Sequence, residues 1–332
     1  MTAVAISAHE VHTCAISTQG AIYCWGQSTV GDLGPNGGED STATPVLPVV
    51  VTGLPAGSTP VAVAAGGAFT CALLSAGTIY CWGYNGYGQL GPQGGSGGGT
   101  PVQLTGLPAG TKAIAVAAGE LHACALLDNG TAYCWGDNQY GQLGPNGGSG
   151  GGTPAQVTGL PAGTRVVGLA AGTNHTCATL DDGKAYCWGL NEFAQLGPNG
   201  GDGSNTPVVV AGLLAPGTKA IGIAAGELHT CAVLDNGAAY CWGGDTVGQV
   251  GPGFPSGGLD DPAPTLITGL PAGSKVVALA SGGYHNCALL DSGQVYCWGF
   301  DADGQLGPAG TAGSETGSST PLQVTGFVAK VD

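Results

Sequence analysis

Cysteine and histidine are the residues of this chain whose types and spacing could do chemistry. Its 332 residues include 12 cysteines, which form six pairs with a constant step of ten residues. In five pairs a histidine lies two residues before the first cysteine, and residues two apart share one face of a strand. The pattern could therefore build zinc sites, disulfides or pairs of free thiols. The pairs are Cys14–Cys24, Cys71–Cys81, Cys124–Cys134, Cys177–Cys187, Cys231–Cys241 and Cys287–Cys297, and the histidines are His12, His122, His175, His229 and His285.

The second unit helps to choose among these alternatives. It has Phe69 where the others have histidine, and it still has Cys71 and Cys81. The spacing also lacks the short cysteine knuckle that zinc sites commonly use. We therefore predict six disulfides, each within its own unit, and no metal or other cofactor. Disulfides in this number are typical of exported proteins, so we expect a secreted, periplasmic or cell-surface location.

Each cysteine pair is expected to lie in a β-hairpin. Between Cys124 and Cys134, two largely apolar runs flank Asp128-Asn129-Gly130, and Asn and Gly tolerate the positive φ of a tight turn. The two cysteines of a unit then face each other across the hairpin. Trp-Gly follows the second cysteine in every unit.

Composition limits the possible partners. Lys and Arg number 6 against 21 Asp and Glu, for a net charge of -15, so the chain has no basic surface for a nucleic-acid backbone. It also has no apolar run of the roughly eighteen residues that a membrane-spanning helix needs, and no charged-then-apolar export signal at its start. We expect an acidic monomer that binds neither nucleic acid nor the membrane interior.

The units repeat along the whole chain. Successive first cysteines lie 57, 53, 53, 54 and 56 residues apart, a period typical of propellers and solenoids. One unit shows four strand candidates, at 112–118, 121–127, 131–135 and 153–158. The predicted fold class is all-β, a six-bladed β-propeller with four strands per blade, the Ala-rich first strand innermost and a ring that closes with adjacent ends. The predicted repeats are 1–59, 60–112, 113–165, 166–219, 220–275 and 276–332.

The repeat resembles a known family. Residues 118–126 read AGELHACAL and residues 133–144 read YCWGDNQYGQLG, a pattern similar to the regulator of chromosome condensation repeat, and variants of it cover essentially the whole chain. The resemblance implies a propeller, usually seven-bladed in the family, that binds proteins through its loop faces. Known members include an exchange factor for a small GTPase, a plant light receptor and a secreted inhibitor of β-lactamases. The cysteine pairs and the acidity make this chain look like bacterial, exported relatives of the family.

The strand order assigns the loops to two faces. The turn after the first strand and the long loop after Trp-Gly define the long-loop face; the Asp-Asn-Gly turns and the Gly-Leu-Pro-Ala-Gly connectors define the hairpin-turn face. Loop positions that vary among the repeats mark the long-loop face as the candidate binding face. Tyr87, Tyr140 and Phe193 occupy equivalent positions and should form an arc, although aromatic side chains could instead pack on their own glycine-rich loops. The binding-face candidates are Tyr84, Tyr87, Leu121, Tyr140, Glu192, Phe193, Leu228, Phe254 and Tyr284.

On the hairpin-turn face the sequence suggests surface ion pairs. Basic residues recur at one repeat position beside the turn acids, and such pairs contribute about 0 to 1 kcal/mol each. The basic residues are Lys112, Arg165, Lys219 and Lys275, and the acids are Asp128, Asp181, Asp235 and Asp291.

These observations favour a noncatalytic, exported protein-interaction module. The alternatives are a secreted enzyme inhibitor, a carbohydrate-binding propeller that uses the loop aromatics, and an enzyme with an unrecognised site. No Ser-His-Asp or paired-carboxylate arrangement recurs, so we predict no enzyme activity. The histidines and tryptophans are interpreted as structural, and the acidic glycine-rich loops at 36–40 and 199–202 leave calcium binding open.

Overall fold

The computed structural model describes residues 2–9, 11–28, 30–38, 47–253, 260–310 and 314–326. Every regular element in these ranges is a β-strand, and the strands form six four-stranded antiparallel sheets in a ring. This six-bladed β-propeller confirms the predicted fold class. The described part of the chain contains no helix of the length and apolarity that crossing a bilayer requires.

The strands follow the chain from blade to blade. Blade 1 contains β1 (Ala3–His9), β2 (His12–Ser17), β3 (Ile22–Gly26) and β4 (Val49–Val50), and blade 2 contains β5 (Pro60–Ala65), β6 (Phe69–Leu74), β7 (Ile79–Tyr84) and β8 (Gly97–Gln103). Blade 3 contains β9 (Ala113–Ala118), β10 (His122–Leu127), β11 (Ala132–Gly136) and β12 (Gly151–Gln156), and blade 4 contains β13 (Val166–Ala171), β14 (His175–Leu180), β15 (Ala185–Leu190) and β16 (Gly203–Val209). Blade 5 contains β17 (Ala220–Ala225), β18 (His229–Leu234), β19 (Ala239–Gly244) and β20 (Asp260–Leu266), and blade 6 contains β21 (Val276–Ser281), β22 (His285–Leu290), β23 (Val295–Asp301) and β24 (Ser314–Val324).

The first strand of each blade is the innermost, as predicted. Strands β1, β5, β9, β13, β17 and β21 contact one another in that order around the axis. They consist largely of Ala, Val, Ile and Gly, whose small or β-branched side chains suit the narrow space where the blades converge.

The cysteine pairs lie in the central hairpins. In blade 3, Cys124 is directly opposite Cys134 in the register of β10 and β11. All six predicted disulfides are present, with Cα atoms 4.0 to 4.1 Å apart, and no cysteine is free. The disulfide prediction is confirmed.

The glycine after each tryptophan is required by a close backbone approach. Gly136 has a φ of +105°, and a Cβ there would lie 2.5 Å from the carbonyl oxygen of Leu121. A side chain at this position would meet backbone that cannot move aside. Trp-Gly therefore recurs because the hairpin closes tightly at this point.

Apolar packing joins each blade to the next. Five buried clusters lie between consecutive blades from blade 1 to blade 6, and each contains the tryptophan of the later blade. Between blades 3 and 4, for example, Trp188 packs with Leu126 and Leu143. The interpretation of tryptophan as an inter-blade residue is correct for Trp82, Trp135, Trp188, Trp242 and Trp298, each with no exposed surface.

The junction between blades 6 and 1 is different. Among the described residues no buried cluster joins these two blades, and Trp25 of blade 1 is partly exposed. The closed ring expected from the repeat count is therefore packed at five junctions and unpacked at the sixth. The prediction from six similar units missed this difference, because the number of repeats alone does not show whether the first and last blades pack against each other.

Candidate functional site

A backbone carbonyl in each long loop holds the following blade. The carbonyl oxygen of Gln89 in blade 2 accepts a hydrogen bond of 2.8 Å from the indole N–H of Trp135 in blade 3. The same bond occurs at all five packed junctions, at 2.8 to 3.1 Å. A buried indole N–H needs an acceptor, so this carbonyl completes the packing of the tryptophan. The acceptors are the carbonyls of Asp32, Gln89, Gln142, Gln195 and Gln249.

The histidines belong to the same inter-blade contact. Nε2 of His122 lies 2.9 Å from Oγ1 of Thr176 in blade 4, and the Thr176 hydroxyl donates to the Gln142 carbonyl at 2.8 Å. Since that hydroxyl proton is already used, Nε2 of His122 must carry its own proton and donate it to Thr176. Thr70 and Thr230 repeat the arrangement with His12 and His175.

At the next junction an amide replaces the hydroxyl. His229 donates from Nε2 to Oδ1 of Asn286 at 2.8 Å, and Nδ2 of Asn286 donates to the Gln249 carbonyl at 2.9 Å. This series of hydrogen bonds runs from the histidine to a hydroxyl or amide of the next blade, and from there to a loop carbonyl. It is called here the junction clasp.

The one unit without histidine shows why the pair matters. In blade 2 the histidine is replaced by Phe69. The following blade, blade 3, has Ala123 in place of threonine or asparagine at the partner position. Both side chains are fully buried. The histidine and its partner in the following blade are thus replaced together. The sequence contained this signal, but it becomes visible only when neighbouring units are compared at two positions.

The clasp histidines are neutral and structural. Burial lowers the pKa of His12 and His229 to about 4, and burial together with nearby histidines lowers the pKa of His122 and His175 to about 3. An Asp32 carboxylate oxygen lies 3.5 Å from Nδ1 of His12, yet burial dominates and the contact is no ion pair at neutral pH. Within the described ranges no three His, Cys, Asp or Glu side chains are grouped to hold a metal ion.

A paired exchange tests the clasp. His122→Phe combined with Thr176→Ala rebuilds the Phe69–Ala123 pair at another junction. Thr176→Ala alone leaves the buried Nε2–H of His122 without an acceptor, which should cost about 1 to 3 kcal/mol. Guanidinium chloride titration of both single variants and the double variant is the measurement. We expect the double variant to be more stable than the sum of the single effects implies; additive losses would contradict a coupled pair.

The long-loop face presents two exposed tyrosines on fixed loops. Tyr87 is 45% exposed and Tyr140 is 40% exposed. The backbone N–H of each donates to the side-chain oxygen of the fully buried glutamine two residues later, Gln89 or Gln142, at 2.9 Å. These hydrogen bonds hold the backbone of both tyrosines in place. Binding a partner would therefore cost conformational entropy mainly for the two rings and little for the loops.

The other candidates on this face differ in exposure. Phe193 has the same glutamine anchor but is half-buried, and its Cβ lies beside Gly244 of blade 5. Tyr84 packs edge-to-face on Tyr87, with ring centres 6.4 Å apart. Glu192 is exposed, whereas Leu121, Leu228 and Tyr284 are half-buried. Phe254 lies outside the described residues.

The hairpin-turn face does not contain the expected ion pairs. Carboxylate oxygens of the turn acids accept the backbone N–H of the basic residues at 3.0 to 3.2 Å, as for Asp128 and Lys112. The Arg165 side chain instead donates to the carbonyl of Asp128 in the preceding blade at 2.7 Å. No described Lys or Arg at this repeat position forms a side-chain ion pair within 4.0 Å. The ion-pair prediction is wrong because the turn carboxylates cap backbone N–H groups.

Sequence reasoning missed one feature of the innermost strands. The second position of every first strand is β-branched and 50% to 66% exposed. The period was visible in the sequence, but strand alternation alone did not show which side faces solvent. The residues are Val4, Val61, Ile114, Val167, Ile221 and Val277.

Comparison with known proteins supports the repeat assignment. The sequence model of the RCC1-like domain family matches residues 1–332. The E3 ubiquitin-protein ligase HERC2 of Mus musculus is 32% identical over 291 residues, which is 87% of this chain but only 6% of HERC2. The ultraviolet-B receptor UVR8 of Arabidopsis thaliana is 31% identical over 321 residues, 96% of this chain and 69% of UVR8.

A solved structure agrees with this result. In the crystal structure of Kap60 bound to yeast RCC1 (Prp20), the matching chain superposes with a TM-score of 0.81 at 26% identity, covering 97% of this chain and 74% of that one. The fold, the repeat and the family match therefore agree along the whole sequence. This chain belongs to the RCC1-like domain family.

Proposed function

We propose that this chain is a noncatalytic, exported protein-interaction module that binds its partner through the long-loop face. The observation that carries the proposal is the pair of exposed tyrosines, Tyr87 and Tyr140, on loops fixed by buried glutamines. Aromatic side chains held in place before binding are favoured as anchors in protein interfaces. The disulfides in all six blades support an oxidising compartment.

The family supports the same class of function. The yeast relative is seen bound to Kap60, a protein, and a propeller that presents loops at both ends offers broad faces for such contacts. Secreted enzyme inhibition is the alternative within the same class, because an inhibitor would use the same exposed aromatics. Carbohydrate binding by Tyr87 and Tyr140 is a third possibility that a glycan array distinguishes.

The test removes the two exposed rings. Tyr87→Ala with Tyr140→Ala should leave the melting temperature nearly unchanged, because exposed loop side chains contribute little to stability. The same change should weaken partner binding by at least about 2 kcal/mol, or about thirtyfold in Kd. Wild-type and variant protein are immobilised, challenged with surface and medium fractions of the source organism, and the Kd of each retained protein is then measured.

The structure also provides the control. Replacing Lys112, Arg165 and Lys219 by alanine changes the opposite face and should leave partner binding intact. Phe193→Ala is measured separately, because Phe193 is half-buried and its Cβ lies beside Gly244 of blade 5. If the basic variant loses the partner and the tyrosine variant retains it, the long-loop face is the wrong face.

A further inference from the structure

Charge is distributed unevenly between the two faces of the propeller. Five of the six Lys and Arg residues lie on the hairpin-turn face, and the sixth, Lys330, lies outside the described residues. The five are Lys112, Arg165, Lys184, Lys219 and Lys275. The described part of the long-loop face contains acids and no Lys or Arg; the acids with exposed surface include Glu120, Glu192, Asp202, Glu227 and Asp303. A face with charges of one sign attracts a partner of the opposite sign.

The same face contains a cavity at the unpacked junction between blades 6 and 1. Its volume of about 730 Å³ lies within the range of about 300 to 1,000 Å³ that is typical of ligand pockets. The wall combines an acid, an aliphatic side chain and two aromatic rings, which are Glu227, Ile6, Tyr284 and Phe300. The two rings pack edge-to-face, with centres 6.5 Å apart. The cavity therefore joins a negative charge to apolar and aromatic surface.

His9 in the wall of this cavity departs from the repeat. The other five blades have glycine at its position, namely Gly66, Gly119, Gly172, Gly226 and Gly282. A Cβ at Gly119 would clash with the carbonyl oxygen of Gly172 in the next blade, so packing favours glycine there. Nδ1 of His9 is buried and has no hydrogen-bond partner. Burial and the neighbouring His12 lower the pKa of His9 to about 4, so the ring is neutral at pH 7 and does not repel a cation.

Asp301 adds a negative charge behind the cavity wall. Its position is asparagine in blades 2 to 4, where the side-chain amide donates to a glycine carbonyl at 2.7 to 2.8 Å. Asp301 is fully buried; its Oδ1 accepts the Leu306 N–H at 2.8 Å, and its Oδ2 has no hydrogen-bond partner. Burial lowers the pKa of His285 in the cavity wall, and the charge of Asp301 opposes that shift. The negative potential of Asp301 therefore reaches the cavity.

We propose that this cavity binds an arginine side chain of the protein partner, an inference that rests on the proposed function because it names the residue by which the partner enters the long-loop face. The guanidinium pairs with the Glu227 carboxylate and stacks on the ring of Tyr284 or Phe300. Its aliphatic stem contacts Ile6. Nδ1 of His9 accepts a remaining guanidinium N–H when the ring proton is on Nε2. Arginine fits better than lysine, because its planar, weakly hydrated group stacks on rings and has five donors.

The wall disfavours the other possible occupants. An anionic ligand would meet the charges of Glu227 and Asp301. An uncharged apolar ligand would bury the Glu227 carboxylate without a counter-charge, which costs free energy. A second copy of this chain has a single arginine, Arg165, and its side chain already donates to the carbonyl of Asp128 at 2.7 Å. The occupant is therefore a basic residue of a different protein.

A peptide titration tests the cavity without the natural partner. The probes are acetyl-Gly-Arg-Gly amide, the same peptide with lysine, and the same peptide with citrulline, which has nearly the shape of arginine but no charge. The full chain is labelled at the isoleucine methyl groups and followed by NMR at low salt. Ile6 lies in the cavity wall, and Ile114 at the start of β9 is the distant reference. The arginine peptide should shift the Ile6 signal saturably and leave Ile114 unchanged, and the citrulline peptide should bind at least about tenfold more weakly.

Two matched variants locate the charge that matters. Glu227→Gln removes one negative charge and keeps the backbone N–H of residue 227, which donates to the Gly283 carbonyl at 3.0 Å. It should raise the Kd of the arginine peptide at least about fivefold. Glu192→Gln removes one charge from an exposed site on the same face outside the cavity, and it should change the Kd by less than about twofold. The citrulline comparison uses the wild-type chain and so needs no variant to fold.

Several results would overturn the proposal. They are an Ile6 signal that does not respond to the arginine peptide, equal binding of the arginine and citrulline peptides, and tighter binding of the lysine peptide. Equal losses in Glu227→Gln and Glu192→Gln would also overturn it, because they would show a diffuse attraction to the acidic face and no pocket. These outcomes are separate from the test of the proposed function: the peptides report on the cavity alone, whereas the Tyr87 and Tyr140 variant reports on the natural partner.

Discussion

Lowering the pH from 7.5 to 5 is expected to reduce the free energy of unfolding by several kcal/mol. Burial holds the pKa of His12, His122, His175 and His229 at about 3 to 4 in the folded protein, well below the value of about 6.5 expected after unfolding. As the pH falls below 6.5, these histidines therefore bind protons in the unfolded chain but stay neutral in the folded chain. This contribution to stability is fully present above the unfolded pKa and is lost between pH 6.5 and the folded pKa of each histidine.

The expected size follows from the linkage relation. At pH 5 each of these histidines costs about 2 kcal/mol relative to neutral pH, and the four together cost about 8 kcal/mol. That loss is comparable with the entire stability of many domains, about 5 to 15 kcal/mol. Asp245 acts in the opposite direction, because burial raises its pKa to about 6 and acidification relieves the cost of its charge. A single carboxylate offsets only part of the effect of four histidines.

Guanidinium chloride titrations at pH 7.5, 6 and 5 test this expectation. The variant with His122→Phe and Thr176→Ala is the control, since it contains one clasp histidine fewer and should show a shallower pH dependence. A stability that stays constant from pH 7.5 to 5 would contradict the assignment of neutral, buried histidines.

Complete reduction of the disulfides is expected to unfold the chain. Each bridge spans ten residues and should contribute about 2.5 to 3 kcal/mol by restricting the unfolded chain. Six such contributions exceed the stability of a typical domain. Ten of the cysteines have no exposed surface, so the native protein should resist mild reductant and lose its structure only when denaturant and reductant act together.

Mass spectrometry and circular dichroism provide the measurements. The intact mass should rise by about 12 Da on full reduction, two hydrogens for each bridge. The reduced, alkylated chain should lose its β-sheet spectrum, and the denatured but oxidised chain, which refolds on dilution, is the control. Free thiols above trace level in the native protein, or an alkylated chain that remains folded with an unchanged midpoint, would refute the prediction.

The local features of the fold could be predicted from the sequence because they repeat within short distances. Cys124 and Cys134 are close in the chain and are joined by a recognisable turn, so the hairpin, the disulfide and the blade follow from spacing. The hydrogen bonds between blades were harder to predict. Trp135 finds its acceptor 46 residues earlier, at a backbone carbonyl whose position no side-chain pattern reveals.

For the candidate binding face, too, the sequence predicts the local positions but not the contacts between blades. The sequence placed Tyr87, Tyr140 and Phe193 at equivalent positions, but their exposure depends on what the following blade puts beside them. The Phe193 Cβ lies beside Gly244, whereas Tyr87 and Tyr140 remain more exposed. The unpacked sixth junction lies between the first and the last blade, a pairing that no single repeat encodes.

The direction of the tryptophan bonds has a consequence for how the chain is made. At every packed junction the acceptor carbonyl belongs to the earlier blade and the tryptophan to the later one, as for Gln89 and Trp135. During synthesis from the N-terminus, each docking surface is therefore complete before the blade that uses it emerges. None of the five packed junctions needs residues from the end of the chain in order to form. The propeller can assemble one blade at a time in the order of synthesis, with each new hairpin added to an ordered template.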